Sequence, residues 1–323
     1  MKKLAKNILQ KARVIALVSD KNRTTHEDEL TANKAMNNKI ILFLFFIGSN
    51  FSSVKLSKFI IVLFVSFLFS QNSQANINTI EFLIQDDQIP KMFSQEKIKS
   101  MFENIEKKDV EEILLKFKNK PEKTKTFESY SKIFISEKRI NRALNFYASN
   151  RKIFSEAYSK TKIDSFLILA MISMETNFGE SHGDFRLIDS FLAQIEYIPE
   201  RKDWAEKQLK QFLIFCFNEN IAPESVFGSY AGAFGFGQFI PTSFESLYVD
   251  FNLDGKKDPY SWEDTIGSVA NYLLKNSYPV GNNNFSIKSE IWDSVRTYNR
   301  SDKYASTAIL LRNELLKEFY LLD

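Results

Sequence analysis

The segment Lys162–Gly179, KIDSFLILAMISMETNFG, constrains the fold more than any other part of this sequence. Its residues 166–174 are almost entirely apolar, and a run of this length predicts a helix buried on most sides rather than a strand. Asp164 can cap the start of this helix, and Gly179 can end it in a left-handed conformation. Glu175 would then lie in the last turn, where apolar neighbours and the helix dipole both disfavour its charged form.

Glu175 is therefore a candidate general acid. A carboxyl group whose pKa is raised in this way stays protonated near neutral pH and can donate its proton to a leaving oxygen. A surface glutamate that simply follows a core helix would give the same pattern, so this segment alone leaves both interpretations open.

The composition excludes several classes of protein. The 323-residue chain is 44% hydrophobic and 26% charged, as expected for a globular protein. Its formal net charge of +3 is too small to indicate nucleic-acid binding. Cys216 is the only cysteine and lies in an apolar run, so we predict a buried structural thiol. With only His26 and His182 available, a two-histidine zinc site or a Ser–His–Asp triad is close to excluded.

The N-terminal region predicts export. Residues 59–69 form an apolar run that follows Lys55 and Lys58 and precedes small residues, which predicts a secretory signal cleaved after Ala75. A periplasmic location follows. In the alternative interpretation, this run and the earlier apolar run at residues 40–47 anchor the protein in the membrane.

This boundary sets the predicted domain organisation. Residues 1–75 are the presequence, of which we interpret 1–53 as the product of a wrongly assigned translation start. The mature chain, 76–323, is one mainly helical domain with a helical N-terminal part over 76–160 and a core over 161–323. Its predicted helices include Gln95–Glu106, Lys108–Lys118, Glu137–Tyr147, Ser190–Tyr197, Lys202–Glu219, Ile266–Leu274 and Ala305–Tyr320, with Pro90 and Pro121 as breaks.

The segment Gly228–Phe244, GSYAGAFGFGQFIPTSF, combines four glycines with aromatic residues. Glycine lets the backbone approach a ligand closely or adopt positive φ. Aromatic side chains can pack on the C–H face of a sugar, and those available are Tyr230, Phe234, Phe236 and Phe239. The segment is not a phosphate loop, because no strand precedes it and no Lys-Ser/Thr pair ends it. A tight turn packed by aromatic residues explains the same pattern.

The segment Asp250–Asp264, DFNLDGKKDPYSWED, has the start of a calcium-binding loop. The residues at positions 1, 3, 5 and 6 of such a loop are Asp250, Asn252, Asp254 and Gly255. The usual glutamate at position 12 is replaced by Ser261, and Asp264 could supply that carboxylate instead. A capping box between Ser261 and Asp264 is the competing role. A plain turn rich in Asp and Asn is a further alternative.

Together, METNFGES, GSYAGAFGFGQFIPTSF, VDFNLDGKKDPYSWEDTIGSVANYL and TYNRSDKY resemble the lytic murein transglycosylase B family, the membrane-bound lytic transglycosylase B-like proteins of glycoside hydrolase family 103. The resemblance runs from about Phe127 to the C-terminus. It implies a mainly α fold with a lysozyme-like, soluble-lytic-transglycosylase-type core. It also implies a carbon–oxygen lyase that cleaves the β-1,4 bond between N-acetylmuramic acid and N-acetylglucosamine in peptidoglycan, and leaves a 1,6-anhydromuramic acid end.

The resemblance also implies roles for single residues. Glu175 corresponds to the one catalytic acid and base. The residues that hold or line the sugar groove would be Ser229, Gln238, Tyr272, Tyr298, Asn299 and, on a weaker motif, Tyr130. The calcium ligands would be Asp250, Asn252, Asp254, the Lys256 carbonyl and Asp264. The chemistry would need no cofactor, and a bound Ca²⁺ would be structural.

The sequence departs from the family at one place. The family usually carries a small β-rich region between the helix that holds Tyr272 and the TYN motif. Here only residues 275–295 intervene, so we expect the β region to be much reduced and one wall of the groove to be smaller.

The expected partner is the peptidoglycan glycan strand, with cell-wall synthesis or division proteins as further partners, and the expected state is a monomer. We expect no nucleic-acid partner. Two alternatives stay open: a non-catalytic peptidoglycan-binding or scaffold protein, and a lysozyme-type muramidase that uses water.

Overall fold

The computed structural model describes residues 78–322, so the predictions for the presequence lie outside the described residues. Its helices are α1 (78–84), α2 (Ile89–Met92), α3 (Gln95–Met101), α4 (Lys107–Lys118), α5 (Pro121–Thr124), α6 (Phe127–Phe134), α7 (Glu137–Ser149), α8 (Arg151–Thr161), α9 (Ser165–Thr176), α10 (Leu187–Tyr197), α11 (Lys202–Asn218), α12 (Pro241–Leu247), α13 (Trp262–Lys275), α14 (Glu290–Tyr298) and α15 (Asp302–Leu322). Within this range no helix combines the length and apolar character that a membrane span needs.

Helix α9 is the centre of the fold, as the sequence predicts. Every residue from Phe166 to Met174 is at most 8% exposed. The helix packs most extensively against α15 and also contacts α7, α8 and α13. Asp164 caps its start, because its carboxylate accepts the Leu167 N–H at 2.7 Å, and the same carboxylate pairs with Arg312 of α15 at 2.7 Å.

The end of α9 differs from the prediction. The helix ends at Thr176, and Asn177, not Gly179, is the first left-handed residue, with φ 49°. Phe178 and Gly179 follow with φ 60° and 81°, so three successive left-handed residues turn the chain sharply. Two of them are not glycine and carry a conformational cost. The Thr176 hydroxyl accepts the Gly179 N–H at 3.2 Å and donates to the Phe236 carbonyl at 2.9 Å, which ties this turn to the glycine-rich segment.

The β structure of the described residues is small. Strands β1 (Phe185–Arg186) and β2 (Phe227–Gly228) pair antiparallel, with Phe185 opposite Gly228. Residues 276–289, where the family usually has its β-rich region, contain no strand. The mainly α fold class with a much reduced β region is confirmed.

The predicted helices are present with shifted ends, and the structure adds α1, α2, α5, α6, α8, α12 and α14. Pro90 and Pro121 lie at breaks between helices, as predicted, and each occupies the first turn of the short helix that follows, α2 or α5. Proline is tolerated there because the N–H groups of the first turn have no partner within the helix.

Candidate active site

Glu175 lies in the last turn of α9 and is half-buried. Burial of the carboxyl group raises its pKa to about 7; a hydrogen bond from Tyr304 opposes this rise, and the charge of Glu122 adds to it. The Tyr304 hydroxyl, on α15, donates to Glu175 Oε1 at 2.5 Å. A carboxyl group with this pKa can be protonated or ionised near neutral pH, as a group that acts first as acid and then as base requires.

Two further phenols lie near enough for the charge of Glu175 to act on them, Tyr298 from α14 and Tyr130 from α6. Burial raises the pKa of both hydroxyl groups, and the nearby charge of Glu175 adds to the effect. Both therefore remain hydrogen-bond donors at neutral pH. Tyr298 donates to the Gly237 carbonyl at 2.5 Å, which links the TYN motif to the glycine-rich segment.

Gln238 is held in a fixed orientation beside this cluster. Its backbone has φ 50°, and its amide nitrogen donates to the carbonyl oxygens of His182 (3.1 Å) and Gly235 (3.0 Å). These bonds use both N–H groups of the amide, so its oxygen is the atom left to accept a hydrogen bond from a ligand.

A cavity of about 540 Å³ brings three of the predicted groove residues together. Gln238, Tyr272 and Tyr298 line it, and the Tyr272 ring lies 4.6 Å from the Tyr298 ring. Its other lining residues are Glu200, Arg201, Trp204, Phe239, Ile240, Ser243, Thr297 and Arg300. Asn299 directly follows Tyr298 as the C-cap residue of α14. The cavity is polar and aromatic, a lining that suits a carbohydrate.

Ser229 and Tyr130 have different surroundings from those predicted. The Ser229 hydroxyl accepts the Ala233 N–H at 3.1 Å and so closes the glycine-rich turn. Tyr130 is only 2% exposed, so its ring does not line an open groove. Its hydroxyl instead lies 3.4 Å from Glu122 Oε1.

Sequence reasoning missed Tyr304 and Glu122. Tyr304 ends the quoted TYNRSDKY motif, and the helical spacing of α15 would have been the signal for its inward position. Glu122 lies in the four-residue helix α5, and nothing in its local sequence indicates that it is near Glu175.

The glycines of the glycine-rich segment serve packing within the protein. Gly235 has φ 73°, and an added Cβ would lie 2.6 Å from the Pro259 side chain. Gly232 has φ 93°, and an added Cβ would lie 2.3 Å from the Phe191 ring. Of the two open interpretations, these contacts favour the tight turn.

Two of the four aromatic residues proposed to face a sugar belong to the core. Phe234 and Phe239 are 1% and 3% exposed. Phe236 stacks on Trp262 with ring centroids 4.1 Å apart, and Tyr230 packs edge-on against Phe117. The expectation of a sugar-facing ring is therefore wrong for Phe234, whereas Phe239, although little exposed, also lines the cavity with Gln238 and Tyr298.

The predicted calcium loop curls around its first residue. Asp250 accepts the N–H groups of Asp254 (3.1 Å) and Gly255 (2.8 Å), and Gly255 has φ 90°. Asn252 also accepts the Asp254 N–H, at 3.0 Å. The Lys256 N–H donates to Asp254 at 2.9 Å, so its carbonyl lies on the same turn. The loop therefore gathers oxygen atoms of the kind that calcium prefers.

The contacts of Asp264 distinguish between its two predicted roles, calcium ligand and capping-box partner of Ser261. Its carboxylate accepts N–H groups of the loop, from Phe251 (2.8 Å) and Asp258 (2.9 Å), while the Ser261 hydroxyl caps α13 by accepting the Asp264 N–H at 3.3 Å. Burial raises the pKa of Asp264, and the charge of Asp250 adds to the rise. A cation would relieve this, so the donor chemistry fits; still, within residues 78–322 no three His, Cys, Asp or Glu side chains converge as a metal cage.

The remaining acids of the region have structural partners. Asp189 forms a bidentate ion pair with Arg186 at 2.6 and 2.9 Å. Glu180 contacts Arg142 and accepts from the Asn177 amide at 2.7 Å. Cys216 is fully buried and burial raises its pKa, which agrees with the predicted structural thiol.

A helical scaffold that presents one half-buried acid at the end of its central helix defines a lysozyme-like protein. The sequence profile of the family described as Transglycosylase SLT domain matches residues 78–289, more than half of the chain, and the chain belongs to this family.

Known proteins show the same relationship. The chain is 30% identical over 152 residues to membrane-bound lytic murein transglycosylase B of Escherichia coli (strain K12); the alignment covers 47% of this chain and 42% of that protein. The chain therefore spans less than half the length of this curated relative.

Three solved structures share the fold. The soluble lytic transglycosylase SltB1 from Pseudomonas aeruginosa is 25% identical, with a TM-score of 0.66 over 75% of this chain and 99% of that one. Escherichia coli SLT35, solved in complex with calcium, is 20% identical, with a TM-score of 0.66 over 76% and 93%. Pseudomonas aeruginosa SltB3, solved with NAG-NAM-pentapeptide, is 21% identical, with a TM-score of 0.61 over 76% and 79%.

Proposed function

We propose that this chain is a peptidoglycan lytic transglycosylase that cleaves the β-1,4 bond between N-acetylmuramic acid and N-acetylglucosamine. The observation that carries the proposal is the half-buried Glu175 carboxyl, whose pKa burial raises to about 7. Its charge acts on Tyr298, which lines the cavity together with Gln238 and Tyr272. Family membership, and the complex of SltB3 with NAG-NAM-pentapeptide, support the same substrate class.

In the proposed reaction, protonated Glu175 donates its proton to the glycosidic oxygen, and the bond from this oxygen to muramic C1 breaks. The muramic acetamido group stabilises the positive charge that develops at C1. Glu175, now ionised, takes the proton of the muramic 6-hydroxyl, and this oxygen bonds to C1 to close the anhydro ring. Water takes no part, and the attack gains from being intramolecular.

The phenols around Glu175 would assist both states of the acid. The Tyr304 hydroxyl, 2.5 Å from Glu175 Oε1, stabilises the ionised form that accepts the second proton. Gln238, Tyr272, Tyr298 and Asn299 would hold the sugar along the cavity, with the Gln238 amide oxygen accepting a sugar hydroxyl. The Ser229 hydroxyl would donate a hydrogen bond to the sugar. Tyr130 would act through Glu122 rather than by direct contact with the sugar.

The test is digestion of purified peptidoglycan by the chain, followed by mass spectrometry of the released muropeptides. Anhydro products, each one water lighter than the corresponding reducing product, are expected. Glu175→Gln should abolish release, because an amide neither donates nor accepts the proton, whereas exposed Glu103→Gln should match the unchanged protein. Reducing-end products, or full activity of Glu175→Gln, would overturn the proposal.

One observation favours the lysozyme-type alternative. Glycosidases that use water generally need a second carboxylate, and Glu122 lies near enough to Glu175 to affect its pKa. In that mechanism Glu122 would activate water, and the products would carry reducing ends. The same mass spectra therefore separate the two reactions, and a chain that binds peptidoglycan without releasing products would be the scaffold alternative.

We also propose that the loop 250–264 binds a structural Ca²⁺. Its ligands would be Asp250, Asn252, Asp254, the Lys256 carbonyl and Asp264, and the ion would neutralise the buried Asp264 carboxylate. SLT35 was solved in complex with calcium, which supports the proposal.

Thermal unfolding tests the calcium site. Millimolar Ca²⁺, but not Mg²⁺, should raise Tm by roughly 5 °C relative to EDTA, since a cation that binds only the folded state stabilises it. Asp254→Asn should reduce this rise, and exposed Asp87→Asn should preserve it. A Tm that is independent of Ca²⁺ would contradict the proposal.

We also propose that the protein is exported to the periplasm. It would be cleaved after Ala75 or be retained at the membrane by the N-terminal apolar runs. The curated relative is named membrane-bound. N-terminal sequencing of the mature protein tests it, because a chain that starts at Asn76 would support cleavage. We further propose a monomeric state and contacts with cell-wall synthesis or division proteins.

A further inference from the structure

Glu122 is a second carboxylate beside the candidate catalytic acid, and the one-acid reaction gives it no role. It lies in α5, the four-residue helix Pro121–Thr124, and is half-buried. Its Oε1 is 3.4 Å from the hydroxyl of Tyr130, a side chain that is 2% exposed. Tyr130 in turn lies close enough to feel the charge of both Glu122 and Glu175.

The backbone of α5 is attached to the helix that contacts Glu175. The Lys303 ammonium, at the start of α15, donates to the carbonyl oxygens of Glu122 (2.7 Å) and Lys125 (2.5 Å). The next residue, Tyr304, donates to Glu175 at 2.5 Å. Consecutive residues of α15 therefore hold the α5 segment and the candidate catalytic acid in one arrangement.

We propose that Glu122 is a positioning residue for Glu175: Lys303 holds its backbone carbonyl, and its carboxylate accepts the Tyr130 hydroxyl, so that an acidic group is fixed near the cluster of Glu175, Tyr130 and Tyr304. This inference rests on the proposed function. It makes Glu122 an electrostatic partner of the acid, neither a nucleophile nor a base.

The direction of the effect follows from like charges. An anion at Glu122 disfavours ionisation of Glu175, and the pKa of Glu175 is raised in part by this charge. The other groups near Glu175 or its helix end are Tyr130 from α6, Arg139 from α7 (through the Ser173 carbonyl), Tyr298 from α14, and Lys303 and Tyr304 from α15. None of these is a carboxylate, so Glu122 supplies the acidic charge.

The experiment is the pH dependence of muropeptide release by the full chain. Activity should fall as Glu175 loses its proton. Glu122→Gln keeps the size of the side chain and removes the charge, so the falling limb should move to lower pH by about 0.3 to 1 unit. The rate at the acidic plateau should stay within a few-fold of the unchanged protein.

Two further variants keep the test decisive. Glu122→Ala removes the same carboxylate with a smaller side chain and should move the limb in the same direction, which covers the case in which Glu122→Gln fails to fold. Glu128→Gln removes an exposed carboxylate, paired with Lys132 on the surface of α6, and should leave the limb in place. Carbon-13 NMR titration of Glu175 in each protein reports the pKa without relying on turnover.

The outcomes are separable. A limb that shifts to lower pH with Glu122→Gln and Glu122→Ala, but not with Glu128→Gln, supports the inference. An unmoved limb and an unmoved Glu175 pKa overturn it, and so does loss of activity at every pH, which would make Glu122 a reacting group. If the unchanged protein releases no anhydro products while the NMR pKa still shifts, the proposed function fails and the electrostatic inference stands.

Discussion

Glu175 should cost the protein stability at neutral pH, and Glu175→Gln should restore it. Burial raises the pKa of this carboxyl group from the 4.5 of an ordinary glutamic acid to about 7. Between these two pH values the folded chain keeps a proton that the unfolded chain releases. The free energy of unfolding therefore falls as the pH rises through this window. Glutamine has a similar shape and does not titrate, so the variant lacks this loss.

The magnitude follows from the same shift. Each pKa unit corresponds to about 1.4 kcal/mol, so a rise from 4.5 to about 7 is worth at most roughly 3 kcal/mol. Glu175→Gln should unfold with nearly the same free energy as the unchanged protein at pH 4. At pH 8 it should be more stable by up to about 3 kcal/mol. The Tyr304 hydroxyl can still donate to the glutamine oxygen, so the variant leaves no buried donor unpaired.

Urea unfolding at pH 4, 6 and 8, with the slope against urea held common, measures the effect. Glu103→Gln is the matched control, since it makes the same substitution at an exposed position and should show no pH-dependent gain. A Glu175→Gln protein with the same stability as the unchanged chain at pH 8 would show that the carboxyl group is not desolvated. The acid role would then lose its physical basis.

Three further predictions concern the surroundings of this acid. Tyr304→Phe removes a hydrogen bond that favours the ionised form of Glu175, so the pKa of Glu175 should rise by about 1. The falling limb of the rate–pH profile should therefore move to higher pH. A limb that moves to lower pH would contradict this. Asp164→Ala removes the α9 cap and the ion-pair partner of Arg312, so the free energy of unfolding measured in urea should fall by about 2–4 kcal/mol. A fall below about 0.5 kcal/mol would be too small for this role. Cys216 should resist maleimide in the folded chain and react on unfolding, and rapid labelling of the folded chain would disprove its burial.

Much of the fold was accessible from short-range patterns. The apolar run at 166–174 predicted the buried helix because burial on all sides removes the need for a polar face. Asp164 as its cap was predictable because capping needs only a short carboxylate just before the helix. The position of the helix end was not, since Asn177 and Phe178 adopt left-handed conformations that the Thr176 contact with Phe236 holds in place.

The candidate site was likewise predictable from the sequence only in part. Glu175 was a candidate from its local sequence, which also allowed a plain surface glutamate, and the cavity does bring Gln238, Tyr272 and Tyr298 together. The surroundings of Tyr130 were not predictable, because they depend on how α5 and α6 pack beside α9. Phe234 illustrates the opposite error: an aromatic residue in a candidate binding segment is often needed for the core.

The sequence by itself determined a mainly helical chain, one interior helix and the acid at its end, because periodicity, capping and turn chemistry act over a few residues. Only the tertiary structure decided the environment of that acid. Tyr304, Glu122 and the Lys303 clamp come from segments far apart in the chain, and desolvation and charge depend on distance in space.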